Sequence, residues 1–202
     1  MSLLFNQNMT KKILFHICCA SCFIAPYFNL KENTDFDIWG FWFNPNIHPY
    51  LEYQKRMGSM KEFAEQEKIP MIWKDEYNLE DFLRKASFRE NSRCNFCYYD
   101  RMKYTAIVAK KGNFDCFSTT LLYSKFQKHE LIKEIGGSLA KEYGIKFFYQ
   151  DFRELWKQGI ALSKQRKMYR QQYCGCIYSE RDRFMKKQGE RDKEQENFTS
   201  LT

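Results

Sequence analysis

Residues 12–22, KILFHICCASC, join a short apolar run to three cysteines within five positions. The run KILFHI is rich in residues that favour strands, and its length is typical of a buried strand. A helix is predicted to follow over residues 20–31, with Pro26 near its first turn. A strand that ends in thiols and leads into a helix is the opening unit of an alternating α/β fold.

The same alternation continues along the chain. Further strands are predicted at residues 37–43, 69–73, 114–118 and 145–149, and helices at residues 50–68, 78–86, 94–111 and 125–143. The helix over residues 50–68 is expected to carry Leu51, Met57, Met60 and Phe63 on one side. Beyond residue 151 the pattern is helical and basic up to the last cysteines. We therefore predict a Rossmann-like three-layer fold with a mostly parallel central sheet.

Length and composition limit the possible classes of protein. The chain has 202 residues, of which 44% are hydrophobic, so we expect one α/β domain over residues 1–187. Residues 188–202 are polar and are expected to form a disordered tail. No apolar run is long enough to span a bilayer or to act as a signal peptide, which predicts a cytoplasmic protein with no membrane partner. The net charge of +8 favours an anionic partner such as nucleic acid.

Seven of the eight cysteines fall into three groups that are far apart in sequence: Cys18-Cys19-Ala20-Ser21-Cys22, Cys94-Asn95-Phe96-Cys97 and Cys174-Gly175-Cys176. Grouped thiols in a reducing cytosol are seldom structural disulfides. Since ligand sites in parallel α/β folds lie at the carboxyl ends of strands, we expect a cysteine site there. Cys18, Cys19, Cys94 and Cys97 could together bind a 4Fe–4S cluster. A structural zinc with four thiolates is the rival, although a Cys-Cys pair suits it less well.

The third group allows three roles. Cys174 and Cys176, separated by one glycine, could close a strained and therefore labile disulfide. Alternatively they could hold a second metal, with Cys22 as a possible further ligand, or form a purely structural zinc turn.

Three other residues lie close in sequence to the cysteines or within the predicted strands. His16 is expected to be a hydrogen-bonded core histidine, and Cys116 a buried, inert thiol. Asp100, one helical turn after Cys97, could bind metal or donate a proton, or it could simply pair with Arg101.

A basic stretch leads into the third cysteine group. It contains Lys164, Arg166, Lys167 and Arg170, with Tyr169 and Tyr173 nearby. Positive charge beside a redox site suits the phosphate backbone of an RNA whose target base must be splayed out. The alternative is a solvated helix face.

The chain resembles the epoxyqueuosine reductases of the QueH type from Ile13 to Arg183. The resemblance rests on ordered motifs, namely His16-Ile17-Cys18-Cys19-Ala20-x-Cys22, Phe43-Asn44-Pro45-Asn46-Ile47-His48-Pro49 with Glu52-Tyr53, Cys94-x-x-Cys97-Tyr98 with Arg101, Ser118-Thr119-Thr120-Leu121-Leu122, Asp151-Phe152-Arg153, and Tyr173-Cys174-Gly175-Cys176-x-Tyr178-Ser179. Two departures are visible: Ser21 stands where the family usually has Pro, and Ser124-Lys125 where it commonly has Ser-Pro.

This resemblance implies an enzyme that reduces epoxyqueuosine to queuosine at the wobble position of tRNA. It further implies a 4Fe–4S cluster on Cys18, Cys19, Cys94 and Cys97, an additional mononuclear iron nearby, and no cobalamin. Cys174 and Cys176 would be the redox-active pair, with Asp100 as a candidate proton donor. The implied partners are tRNA carrying epoxyqueuosine and an external electron donor.

Two other functions compete with this interpretation. A non-catalytic, zinc-stabilised nucleic-acid-binding protein would use the same thiols and the same positive charge. An ATP-using tRNA thiolase of related architecture would need a Gly- and Ser-rich phosphate loop after the first strand. Cysteines occupy that place here, which disfavours the thiolase.

Overall fold

The computed structural model describes residues 10–185, so the predicted tail over residues 188–202 lies outside the described residues. The extent of the domain at residues 1–187 therefore stays a prediction. Five strands form one sheet in the order β3-β2-β1-β4-β5, and every neighbouring pair is parallel. The strands are β1 (Lys11–His16), β2 (Phe36–Trp42), β3 (Met71–Trp73), β4 (Cys116–Thr119) and β5 (Lys146–Phe147). The predicted parallel α/β fold is confirmed.

Helices connect the strands and cover the sheet. They are α1 (Ala20–Asn33), α2 (Tyr50–Glu67), α3 (Leu79–Ala86), α4 (Arg93–Lys111), α5 (His129–Tyr143), α6 (Trp156–Gln165) and α7 (Ile177–Phe184). Since parallel crossovers are right-handed, connections that run outward to opposite edges of the sheet place their helices on opposite faces. Accordingly, α1 packs against α2 and α6, whereas α4 packs against α5. No helix within residues 10–185 is long and apolar enough to cross a membrane.

The strand order places a crevice beside β1. From β1 the chain proceeds outward through β2 to β3, then returns to β4 on the other side of β1. The connections that leave the carboxyl ends of β1 and β4 therefore diverge, and ligands in open α/β sheets bind at such a point. Cys18 and Cys19 follow β1, and Thr119 and Thr120 lie at the end of β4.

Burial of β1 on both faces explains its apolar sequence. Ile13, Leu14, Phe15 and His16 have no exposed surface, because helices cover both sides of the central strand. The pattern is continuous rather than alternating, as the sequence indicated.

Two local expectations were wrong. Pro26 lies in the interior of α1, not in its first turn. Leu51 is 66% exposed, whereas Tyr53, Arg56 and Met60 are buried. Met60 and Phe63 are buried as predicted. Only Leu51 departs, because the buried Glu52–Arg56 salt bridge takes the place of apolar contacts in the first half of α2.

The chain after α6 also differs from the prediction. The helix ends at Gln165, and residues 166–176 cross the carboxyl edge of the sheet without regular structure. This irregular segment, rather than a continuous helix, delivers the third cysteine group.

Candidate metal and redox site

Three thiols converge where β1 passes into α1. The Sγ atoms of Cys18, Cys19 and Cys22 all lie within 4.8 Å of one another, and all three residues are buried. The adjacent Cys18 and Cys19 can both contribute because they lie beyond the last residue of the strand, and their Sγ atoms are 3.7 Å apart. Tetrahedral coordination with metal–sulfur bonds of about 2.3 Å separates ligand sulfurs by about 3.8 Å, so this spacing suits a shared metal.

The electrostatics of the three thiols also suit a metal. Hydrogen bonds from Cys19, Cys22 and then Thr120 hold the pKa of the Cys18 thiol well below its usual range. Burial, followed by the Cys18 hydrogen bond and charge, raises the pKa of Cys19, and the two neighbouring thiols raise the pKa of Cys22. The protein alone thus favours a single thiolate, and a bound cation would remove the repulsion among three. The donor set therefore fits a thiophilic metal ion.

Neutral side chains orient these thiols. The Thr120 hydroxyl donates to Cys18 Sγ at 3.2 Å and accepts from the Cys18 backbone N–H at 3.0 Å. Gln171 Nε2 donates to Cys22 Sγ at 2.9 Å, and its carbonyl oxygen accepts from the Ser21 hydroxyl at 2.7 Å. Gln171 comes from the irregular segment, so that segment fixes the orientation of Cys22.

Cys94 and Cys97 lie at the start of α4, and neither Sγ is within 4.8 Å of all three sulfurs of the first group. Burial raises the pKa of the Cys97 thiol to about 12, although Arg101 opposes this shift. The charges of Cys174, Cys176 and Cys94 raise it further. Whether all four predicted cluster ligands share one cofactor stays a prediction.

Arg101 connects the three cysteine groups. Its guanidinium is buried, and Nη2 donates to Cys97 Sγ at 3.2 Å. Burial alone would lower the pKa of Arg101, but the charges of Cys97, Cys174 and Cys18 outweigh it, so the pKa is raised. No carboxylate lies within 4.0 Å of this cation in the part of the chain that the structure describes. A buried cation of this kind requires a negative charge nearby, and thiolates or a thiolate-bound centre would provide it.

Cys174 and Cys176 are free thiols in different surroundings. Cys174 is exposed to the cavity, where Gln127 Nε2 donates to its Sγ at 3.3 Å. Cys176 is buried against Phe82 and accepts at Sγ from the Ser179 backbone N–H at 3.4 Å, at the start of α7. Of the two thiols, Cys174 is therefore the one that a ligand in the cavity can reach.

A buried ion pair holds the backbone of the third group. Arg56 Nε donates to Glu52 Oε1 at 2.7 Å, and both side chains are buried. The remaining guanidinium nitrogens donate to the carbonyl oxygens of Cys174 and Tyr173 at 2.8 and 3.0 Å. The Tyr169 hydroxyl donates to the second oxygen of Glu52. One charge pair thus fixes residues 169–174.

The next residue, Gly175, is fixed by its backbone. Its carbonyl oxygen accepts from the His48 N–H at 2.8 Å, and its N–H donates to the Ser179 hydroxyl at 3.1 Å. With φ at +155°, and with Asn46 Nδ2 and Ile47 Cγ1 3.2 Å from where a Cβ would stand, the position favours glycine.

A cavity of about 630 Å³ opens onto the thiols. Cys18, Cys22 and Cys174 line it, together with Arg101 and Arg170. Small-molecule sites occupy about 300–1,000 Å³, so the cavity has the size of a ligand-binding site.

The remaining candidates lie outside this cavity. His16 is fully buried, and its ring nitrogens contact the Thr119 hydroxyl at 2.9 Å and the Phe43 carbonyl at 3.2 Å. Burial lowers the pKa of His16 to about 3, so it is a neutral core histidine, as expected. Burial raises the pKa of the Cys116 thiol to about 12, which agrees with an inert role.

Asp100 is ion-paired with Lys85 at 2.7 Å, not with Arg101, and it does not line the cavity. The sequence pointed to the wrong partner because Lys85 comes from α3, which packs against this turn of α4. Its role as a proton donor stays a prediction.

The basic stretch divides on folding. Arg170 lines the cavity, whereas Arg166 pairs with Glu67 at 2.6 Å and lies over the Phe28 ring. Lys164 and Lys167 are exposed. Arg166 thus serves packing, and only part of the stretch is available to a ligand.

Several members of the site escaped the sequence reasoning. They are Arg56, Gln127 and the aromatic residues Phe126 and Trp156 of the cavity wall. Glu52 and Arg56 did carry a signal, since opposite charges four residues apart lie on one helix face. No residue pattern within α2 indicated that the face carrying Glu52 and Arg56 would be buried.

A Rossmann-like sheet with a buried thiol cluster at its switch point defines a cysteine-rich α/β protein suited to metal or redox chemistry. Residues 13–182 match the family described as "Epoxyqueuosine reductase QueH", and the chain belongs to that family.

Relatives that carry this name cover most of the chain. The protein from Dehalococcoides mccartyi is 35% identical over 178 residues, which are 88% of this chain and 97% of the relative. Those from Thermotoga maritima and Acinetobacter baylyi are 33% and 34% identical, over 83% and 85% of this chain and 89% and 81% of the relatives.

Proposed function

We propose that this protein is an epoxyqueuosine reductase that converts epoxyqueuosine to queuosine at the wobble position of tRNA without cobalamin. The observation that carries the proposal is the cluster of Cys18, Cys19 and Cys22, of which Cys18 and Cys22 line a nucleoside-sized cavity. Membership of the family supports the same reaction. We place the reaction in the cytoplasm, where tRNA is modified. An external electron donor would supply the reducing equivalents.

The proposed reaction removes one oxygen atom from the substrate. An epoxide becomes an alkene when it accepts two electrons and two protons and releases water. We assign a 4Fe–4S cluster to Cys18, Cys19, Cys94 and Cys97, and a further mononuclear iron to a set that includes Cys22. When bound, these groups would supply single-electron transfer and a Lewis acid for the epoxide oxygen.

The residues of the chain perform the other tasks. Arg101 holds a positive charge between the cysteine groups, which favours electron-rich states of the centre. Gln171 and Thr120 orient Cys22 and Cys18, and Arg170 faces the entering nucleotide. Proton donation is assigned to Asp100 or Tyr98.

We assign the redox-active pair to Cys174 and Cys176. Cys174 is the exposed thiol, and Cys176 follows it by two residues with a permissive glycine between them. Two thiols that become one disulfide release two electrons and two protons, which is the number that the epoxide requires.

The direct test uses anaerobically purified protein and tRNA bearing epoxyqueuosine. We expect brown protein that contains iron and sulfide, and a product nucleoside whose mass is lower by one oxygen atom. Colourless protein with stoichiometric zinc and no change in nucleoside mass would instead favour a zinc-stabilised nucleic-acid-binding protein. A Cys176→Ser variant should keep its colour and turn over poorly, whereas Cys116→Ser should behave like the wild type.

Phosphate contact is tested by changing Lys167 and Arg170 together to alanine. The double variant should bind tRNA more weakly, and the slope of log K against log salt should become shallower by about 1–2. The matched control, Lys141→Ala with Lys146→Ala, removes the same charge at the opposite edge of the sheet and should leave the slope unchanged. If both double variants have the wild-type slope, residues 167 and 170 do not contact RNA.

A further inference from the structure

Phe126 is an apolar ring left in solvent at the mouth of the cavity. Its side chain is 83% exposed, yet the residue lines the cavity beside Tyr123 and Trp156. Large apolar side chains exposed next to a binding site commonly become covered by a ligand or partner.

The ring is supported from one side. Phe126 contacts Trp156 edge-to-face with ring centroids 5.7 Å apart, and Trp156 packs against Tyr123 at 5.3 Å. The Tyr123 hydroxyl donates to the Trp156 carbonyl oxygen at 3.3 Å, which fixes this inner pair. The outer ring therefore rests on Trp156, which Tyr123 supports in turn, while most of its own surface stays free.

The charges around the ring favour an anionic partner. Lys125 and Lys128 flank Phe126 and are exposed, and Arg170 and Arg183 line the same cavity. The carboxylate at this mouth, Asp182, is already paired with Arg93 at 2.6 Å and Arg181 at 2.8 Å. Aromatic rings interleaved with cations are the usual recognition surface for single-stranded nucleic acid.

The size of the cavity determines which nucleotide reaches the ring. About 630 Å³ accommodates one splayed nucleoside, so the neighbouring nucleotides must remain outside. A base unstacked from its neighbour by this extrusion presents a free face, and an aromatic side chain at the entrance can restore the lost stacking.

We propose that Phe126 is the platform on which the base next to the wobble nucleotide stacks when the anticodon loop binds. This inference rests on the proposed function, since it names a contact of the same RNA. The platform stabilises the loop with the wobble base extruded, and sequence preference for the neighbour is weak because every base has a π-face.

The test measures binding of an anticodon stem-loop RNA with 2-aminopurine in place of the nucleotide on either side of the wobble guanosine. Wild-type protein should quench the fluorescence at one of the two positions. Phe126→Ala should abolish the quenching and weaken binding about 5- to 100-fold, with an unchanged salt slope. Phe126→Trp should retain both signals, whereas Phe126→Leu should lose the quenching. Phe88→Ala is the matched control, because Phe88 is fully exposed and does not line the cavity.

Three outcomes would overturn the inference. In the first, Phe126→Ala binds the stem-loop as tightly as Phe88→Ala. In the second, Phe126→Leu quenches the fluorescence and binds as the wild type does, and in the third, Phe126→Ala slows only the reduction of the protein by its electron donor. Conversion of epoxyqueuosine by the wild-type protein is measured in parallel. If the wild-type protein converts epoxyqueuosine but Phe126 makes no contribution to binding, only the stacking inference is wrong. If the wild-type protein converts no epoxyqueuosine, the proposed reaction is wrong.

Discussion

Exchanging Cys18 for serine is expected to abolish iron binding and epoxyqueuosine reduction together. Cys18 is the thiol whose pKa the surroundings lower, and it lies within 4.8 Å of both Cys19 and Cys22. A serine hydroxyl does not ionise at neutral pH and is a poor ligand for a soft metal. We expect turnover to fall at least about 1,000-fold, as for the loss of a group on which the whole reaction depends.

The measurement is iron and sulfide content together with single-turnover product formation. Cys116→Ser is the matched control, because it exchanges the same atoms at a buried thiol on β4. A Cys18→Ser protein that retains full iron and sulfide would contradict the assignment.

Two companion variants separate the cluster from the second metal. Cys94→Ser should lose the cluster, since Cys94 belongs to the four ligands that we assign to it. Cys22→Ser should keep the cluster absorbance, lose part of the iron and turn over slowly. If Cys22→Ser loses all sulfide while Cys94→Ser keeps it, the thiol trio of the β1–α1 junction binds the cluster instead.

Replacing Arg56 with methionine is expected to destabilise the protein by about 3–5 kcal/mol. Removal of the guanidinium leaves Glu52 as an unpaired charge with only 8% of its surface exposed. It also leaves the carbonyl oxygens of Tyr173 and Cys174 without their donors. Urea unfolding of the single variant measures the loss in free energy of unfolding.

A double variant shows whether the loss comes from the buried charge. Adding Glu52→Gln to Arg56→Met should recover part of the stability, because no isolated charge remains. Lys85→Met is the control, since it removes a half-exposed cation from Asp81 and Asp100 and should cost less than about 1 kcal/mol. Arg56→Met and Lys85→Met costing the same would show that the buried pair does not anchor residues 173–174.

The parallel α/β class and the set of candidate thiols could be predicted from local patterns in the sequence. Strand and helix patterns are local. A strand that is buried on both faces, such as β1, has a continuous run of apolar residues that can be recognised without the rest of the chain. The C-x-x-C spacing and the Cys18-Cys19 pair are likewise local. His16 and Cys116 could be assigned to the core because each lies within a strand.

Which side chains contact one another depends on how the folded chain packs. Cys22 joins Cys18 and Cys19 because α1 begins at Ala20, and the single turn that follows brings its sulfur back towards theirs. Arg56, Gln127 and Gln171 reach the cysteines across 47 to 149 positions of sequence. Arg166 and Asp100 found partners on other helices, which no pattern within their own segments encodes. Contacts of this range depend on how the layers pack, and packing is a property of the whole chain rather than of any one segment.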